Sequence, residues 1–280
     1  MKFILMLFIT VSVYATSFQQ HEKFIRGLKT QITVKKKQKN FGNVLQGICF
    51  IDKKGNMITS QSNKDKFIVI NILNNKGKST FSQKIEYASH AQDLSYYKDK
   101  KNKLHILTTG KHWHGVVDFI LENKKFHFYA QYRLGIGKNT PSISEDKKYL
   151  ITKANNSIYI YRFVDLRTDL EAHPLYSFIL DEKQRGKRQW TQGIAMKDNY
   201  IYVLSGDNTF KVKKYVVVYD AYGHVVKRIV LSAGKEEAKK NGRRWEMEGL
   251  TFLGNKLYTS VMSGHDGHHK KSLYQLLEVR

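Results

Sequence analysis

Residues 243–264 read RRWEMEGLTFLGNKLYTSVMSG. A polar entry carrying Glu246 and Glu248 leads into Gly249, a residue that permits a turn. A short apolar strand follows, then a Gly254-Asn255 turn, then a second strand over 256–262. Weaker copies precede this one. Residues 190–206, WTQGIAMKDNYIYVLSG, keep the order of amide, glycine, apolar strand, Asp198-Asn199 turn and aromatic-rich strand. Residues 45–61, LQGICFIDKKGNMITSQ, give a third copy. Residues 91–110, AQDLSYYKDKKNKLHILTTG, give a fourth, with Asp93 in the glycine slot, and 141–155, PSISEDKKYLITKAN, the faintest. The aligned slots are Gly47, Asp93, Ser142, Gly193 and Gly249, separated by 46, 49, 51 and 56 residues. A period near 50 points to a repeat array.

Each copy continues past its second strand. Third strands are predicted over 67–72, 116–121, 157–163, 215–219 and 272–277, and fourth strands over 81–87, 126–133, 175–180 and 225–231. All are short, rich in β-branched or aromatic residues, and bounded by Gly, Asn, Asp or Lys. Four antiparallel strands per repeat of this length describe one blade of a β-propeller. The expected fold is therefore all-β, a five-bladed β-propeller with four-stranded antiparallel blades. The fifth copy lacks a fourth strand, while 30–37, TQITVKKK, is a strand without a blade. Pairing the two closes the ring by an N-terminal strand and covers an open edge. Two segments interrupt the pattern: an insertion at 165–174, and 232–241, SAGKEEAKKN, which reads as a short exposed helix.

Lys and Arg number 48 against 24 Asp and Glu, a formal charge of +24. A field of that sign attracts anionic polymers and surfaces, in a salt-dependent way. Nucleic acid, anionic lipid at a membrane surface and anionic cell-wall polysaccharide all qualify, and the charge also serves solubility. Lys2, the apolar run 3–13 and the small residues near Ala15 read as a signal peptide over 1–15, too short to span a bilayer. The expected mature chain is a single propeller domain over 16–280, secreted or associated with the cell envelope. Cys49 is the only cysteine, so the core rather than a disulfide must hold the fold. Set between Ile48 and Phe50, it reads as a small buried hydrophobe.

In a propeller the first strand of each blade lines the axis. This puts Gln46, Asp93, Gln192 and Glu248 around one channel, with His90 and Gln92 beside Asp93 and Glu246 beside Glu248. Trp190 and Trp245 stand just ahead of these polar positions, near Arg188, Arg243 and Arg244. Convergent polar groups beside flat aromatics and guanidinium groups suit sugar rings and phosphates. The same polar ring also serves to satisfy buried backbone groups, and the tryptophans to wedge neighbouring blades. No nucleophile elbow, zinc-binding histidine pair or phosphate loop is present, so no catalytic residue is assigned. No cofactor is assigned either. A channel Ca²⁺ at Asp93 and Glu248 would need six or more oxygen ligands, of which about four are in sight. The loop GHDGHH over 264–269 matches no firm metal spacing.

The strings LQGICF, HAQDLSYYKDKKNKLHIL, WTQGIAM and WEMEGLTF with GNKLYTSVMSG resemble the propeller family of helveticin J-like bacteriocins, TagC-like proteins and receptor-binding proteins of some staphylococcal phages. The similarity runs from about Phe41 onward and is most specific at 90–96 and 246–264. It implies a five-bladed propeller that attaches to bacterial envelopes, through wall teichoic acid, and bacteriocin-like action in some members. It carries no catalytic residues. Two other readings stay open from the residues themselves: a propeller hydrolase or lactonase with a metal in the channel, and a charge-driven binder of extracellular nucleic acid or membrane surface. The oligomeric state is not fixed by the sequence.

Overall fold

The computed structural model describes residues 28–34, 44–63, 67–86, 88, 93–110, 115–137, 139–164, 166, 172–181, 190–232, 235–240, 244–264 and 273–279. The region read as a signal peptide, His90, Gln92, Arg188, Arg243 and the GHDGHH loop after Gly264 lie outside them.

Strands form where β-branched and aromatic residues alternate between short Asp, Asn, Gly and Lys turns. The described residues form five four-stranded antiparallel sheets. Blade one holds β2 (Val44–Phe50), β3 (Met57–Asn63), β4 (Phe67–Leu73) and β5 (Ser79–Ile85). Blade two holds β6 (Ser95–Lys98), β7 (Leu104–Thr109), β8 (Val116–Glu122) and β9 (Lys125–Tyr132). Blade three holds β10 (Asn139–Ile143), β11 (Tyr149–Ala154), β12 (Ser157–Arg162) and β13 (Tyr176–Ile179). Blade four holds β14 (Trp190–Lys197), β15 (Tyr200–Gly206), β16 (Lys214–Tyr219) and β17 (Val225–Leu231). In blade five, β18 (Arg244–Leu253), β19 (Lys256–Gly264) and β20 (Leu273–Val279) are completed by β1 (Leu28–Val34), which pairs antiparallel with β20. The closing strand therefore falls where the strand count requires it, two to three residues earlier than the sequence suggests.

The first strands β2, β6, β10, β14 and β18 touch one another in sequence and close a ring, β18 against β2. The core is layered between blades rather than gathered in one centre. Ile58, Ile68 and Ile106 fill the space between blades one and two, and Leu107, Ile143 and Tyr161 that between two and three. Ile158 and Val203 lie between three and four, Leu204 and Met247 between four and five, and Phe50, Met57 and Tyr258 between five and one. Five interfaces, each with its own cluster, are what a closed five-blade ring demands. Cys49 is buried among them, and burial pushes its thiol up to about 12. The expected helix is α1 (Lys235–Lys240), shorter than its sequence signal.

Turns at one end of the ring share a design. Asp52 Oδ1 accepts the Lys54 and Asn56 amides, Asp99 Oδ1 those of Lys101 and Lys103, and Asn74 Oδ1 those of Lys76 and Lys78. The fourth residue of each turn, Gly55, Asn102 or Gly77, has positive φ, as such side-chain-capped turns require. The lysines inside these turns therefore sit on tightly fixed backbone.

Candidate functional site

Adjacent inner strands approach so closely that side chains are excluded at two places. A Cβ on Gly193 would lie 2.7 Å from the Leu250 nitrogen, and one on Gly249 would lie 2.9 Å from the Ile48 nitrogen. Gly249 also has φ +70°. Beside these glycines β2, β14 and β18 each carry a bulge, so Gln46, Gln192 and Gly249 have no partner in the ladder. The bulges turn the flanking polar side chains toward the axis.

At that level four side chains join blades four, five and one. Gln192 Nε2 donates to Glu246 Oε1 at 2.8 Å. Glu246 and Glu248 share a side-chain hydrogen bond. Gln46 Nε2 donates to Glu248 Oε1 at 3.4 Å. Burial, then the Glu246 charge and hydrogen bond, then Asp93, raise the Glu248 carboxyl well above the usual carboxylate range. A protonated Glu248 donating to Glu246 satisfies that order. Gln46 Oε1 and Glu248 Oε2 remain buried without a protein hydrogen-bond partner.

Asp93 lies elsewhere than on a rim. It is fully buried, and its carboxylate accepts the amides of Leu94 at 3.0 Å and Ile194 at 2.7 Å, and that of Leu250. One carboxylate thus ties blades two, four and five across the axis. Burial pushes its carboxyl up, and the three amides hold it back. Oxygens already occupied by N–H groups are poor cation ligands, so the Ca²⁺ expectation at Asp93 does not fit this donor set. Among the described residues no group of three or more His, Cys, Asp or Glu is placed to hold a metal ion.

The tryptophans part company. Trp190 is 60% exposed at the start of β14, whereas Trp245 is 1% exposed inside the layer between blades four and five. The expectation that both face a ligand is corrected for Trp245. It alternates with Glu246 and so points with Met247 into the core, where Phe210 stacks on it and the Lys214 ammonium lies 4.6 Å above it. Arg244 begins β18, paired with Gly264. The structure therefore brings Gln46, Gln192, Glu246 and Glu248 together and sets Asp93 deeper as a strut.

Sequence reasoning missed two buried polar systems. Asp118 accepts from Tyr97 at 2.5 Å and Tyr132 at 3.0 Å, and lies 2.9 Å from His105 Nδ1. Lys214 Nζ donates to Asp207 Oδ1 at 3.1 Å, the Thr209 carbonyl at 2.8 Å and the Val212 carbonyl at 3.0 Å. A charged residue at the head of or inside an apolar strand pattern, as in KYVVVY (214–219) or VVDFIL (116–121), was the available signal for each.

Residues 136–274 match the family model of the phage 5-bladed beta propeller receptor binding platform domain. Among solved structures, the tail fiber of Staphylococcus aureus phage P68 superposes with a TM-score of 0.70 at 16% identity, covering 94% of this chain and 56% of that one. An exo-beta-1,3-galactanase from Phanerochaete chrysosporium, with beta-1,3-galactotriose, gives 0.57 at 9% identity over 90% of this chain and 65% of that one. The GH43 beta-1,3-galactosidase BT3683, with galactodeoxynojirimycin, gives 0.54 at 11% identity, covering 86% and 91%. The chain thus spans little more than half the length of the tail fiber. No curated protein sequence matches it. The chain therefore folds as a five-bladed β-propeller, and its residues 136–274 are similar to the phage receptor-binding propeller domain.

Proposed function

We propose that this propeller is exported and binds a receptor on a bacterial surface, and that the receptor is an anionic glycan such as wall teichoic acid. The observation that carries this reading is exposed Trp190 at the head of β14, on a chain of charge +24. The charge concentrates a polyanion and the indole stacks on a sugar face. A bacteriocin-like consequence of binding follows only where the bound wall is damaged. Purified protein should be retained on bacterial walls, less as salt rises. Equal retention on walls stripped of teichoic acid would sink that ligand, and Trp190→Ala should weaken retention without unfolding the ring.

A second reading is favoured by one observation. Glu246 and Glu248 share a side-chain hydrogen bond, and burial raises the Glu248 carboxyl, as in carboxyl dyads that share a proton and activate water for hydrolysis. Turnover of a wall polysaccharide, lost in Glu248→Gln, would favour this reading over binding alone.

A further inference from the structure

The opposite end of the ring, where the inner strands finish, carries a cleft of about 440 Å³ between blades two and three. That volume suits a one- or two-sugar unit. Its lining contains four basic residues, Lys98, Lys147, Lys148 and Arg162, and no acidic one. The nearby carboxylates are engaged: Glu145 pairs with Lys197, and Asp146 meets Lys148 at 3.4 Å in an exposed pair of little energy. The apolar lining is half-buried Tyr149 and exposed Val164, with Tyr97 and Phe163 buried behind them, edge to face at 5.0 Å.

The backbone of this cleft is fixed. Ser144 Oγ accepts the Tyr149 amide at 3.0 Å and donates to Asp146 Oδ1 at 2.6 Å, while its carbonyl accepts the Lys147 amide at 2.9 Å. Lys147 sits at φ +63° with its ammonium 4.2 Å above the Tyr96 ring, which packs with the layer between blades one and two and does not line the cleft. Lys98 from blade two and Lys148 and Arg162 from blade three, beside apolar side-chain surface on a fixed turn, form a site suited to a group with an anionic part and an apolar face.

We propose that this cleft between blades two and three binds an acidic saccharide unit, its phosphate or carboxylate held by Lys98, Lys148 and Arg162 and its sugar ring set against Tyr149 and Val164. The proposal rests on the reading of the propeller as an anionic-glycan binder and adds a second, chemically distinct contact at the other end of the ring. A polymer engaged at both ends gains avidity without a new contact at either.

The full chain is titrated with N-acetylglucosamine 1-phosphate, glucuronate, free N-acetylglucosamine, inorganic phosphate and thymidine monophosphate, followed by ligand-observed NMR. The sugar phosphate or glucuronate should bind at least about tenfold tighter than free sugar or inorganic phosphate, since each of those lacks one half of the recognition. Which of the two acids binds tighter identifies phosphate or carboxylate as the anionic group. Lys98→Gln/Lys148→Gln, changing one lysine from each blade of the cleft, should lose about tenfold, and Trp190→Ala should lose nothing. Inorganic phosphate binding as tightly as the sugar phosphate, tightest binding by thymidine monophosphate, or a double variant indistinguishable from wild type would each overturn the proposal. If binding in the cleft persists while wild-type protein is not retained on walls, the proposed function fails and the cleft stands.

Discussion

The Asp93 carboxylate accepts the Ile194 amide at 2.7 Å, from blade two to blade four, although those blades do not adjoin in the ring. With the Leu94 and Leu250 amides also on it, this one side chain links inner strands of three blades. Asp93→Asn places an amide N–H₂ among N–H donors. It should cost about 2–4 kcal/mol, since a buried donor loses its acceptor and a charge-assisted bond is gone. Urea unfolding reads the loss, and hydrogen exchange should quicken first at Ile194 and Leu250. Unchanged stability would mean that the strut is redundant.

The Glu246–Glu248 row carries a pH signature. The folded-state carboxyl of Glu248 is raised above its ordinary 4.5. The folded protein therefore holds a proton that the unfolded chain has lost. The stabilisation is complete below the ordinary value and drains away as pH climbs through the folded one. Glu248→Gln cannot lose that proton and can still donate to Glu246. Wild type should lose stability relative to the variant as pH rises above the ordinary carboxylate range, and the variant's stability should change less over the same interval. Asp93 is raised as well and its charge adds to the Glu248 shift, so the difference between the two stability–pH curves reports Glu248 together with its coupling to Asp93. Parallel curves would remove the case for a shared proton.

Two glycines with positive φ separate strain from crowding. Gly249 has φ +70° and faces the Ile48 backbone, whereas Gly254 has φ +58° with open space around its missing Cβ. Gly254→Ala should cost about 1 kcal/mol from backbone conformation alone. Gly249→Ala should cost about 3 kcal/mol or more, because backbone atoms of blade one must also move. Equal losses in thermal or urea unfolding would show that the inner strands tolerate separation.

The repeat was legible because each blade must begin in the same way. A polar residue and then a small one are forced where inner strands crowd around an axis, so Gly47, Gly193 and Gly249 kept the register visible at a period near 50. The missing fourth strand of blade five was legible by counting. The reach of Asp93 was not: its slot said only that a glycine had been replaced, and contact with blade four depends on curvature around the ring. Trp245 was legible in part. It shares phase with Met247, while Trp190 shares phase with Gln192, and strand alternation separates core from rim on that ground. The cleft beside Lys148 was not legible, because its two walls lie in different blades and its lysines look like ordinary turn residues.

Lys214 is fully buried in an apolar strand and answers to one carboxylate and two carbonyls. Burial lowers its pKa, with Asp207 opposing the shift. Lys214→Ala strips Asp207 and the carbonyls of their donor and Trp245 of the cation above its ring. A loss of about 3–5 kcal/mol is expected, as for a buried pair broken on one side. Asp207→Asn should cost less, because the carbonyls of Thr209 and Val212 still hold the ammonium. If the two losses are equal, the carboxylate rather than the carbonyls anchors the lysine.

The last test sets the two tryptophans against each other. Trp245 fills the layer between blades four and five, with Phe210 stacked at 6.5 Å and Lys214 and Lys235 over its ring. Trp245→Ala opens a cavity there and should cost about 3–5 kcal/mol in urea unfolding. Trp190 is 60% exposed and supports no such layer, so Trp190→Ala should change stability by about 0.5 kcal/mol or less. Retention on bacterial walls should order them the other way. Trp190→Ala should weaken binding at any temperature, and Trp245→Ala only where the ring begins to unfold. If Trp190→Ala binds walls like wild type while Trp245→Ala fails to bind when fully folded, the mouth beside Trp190 is not where the glycan is read.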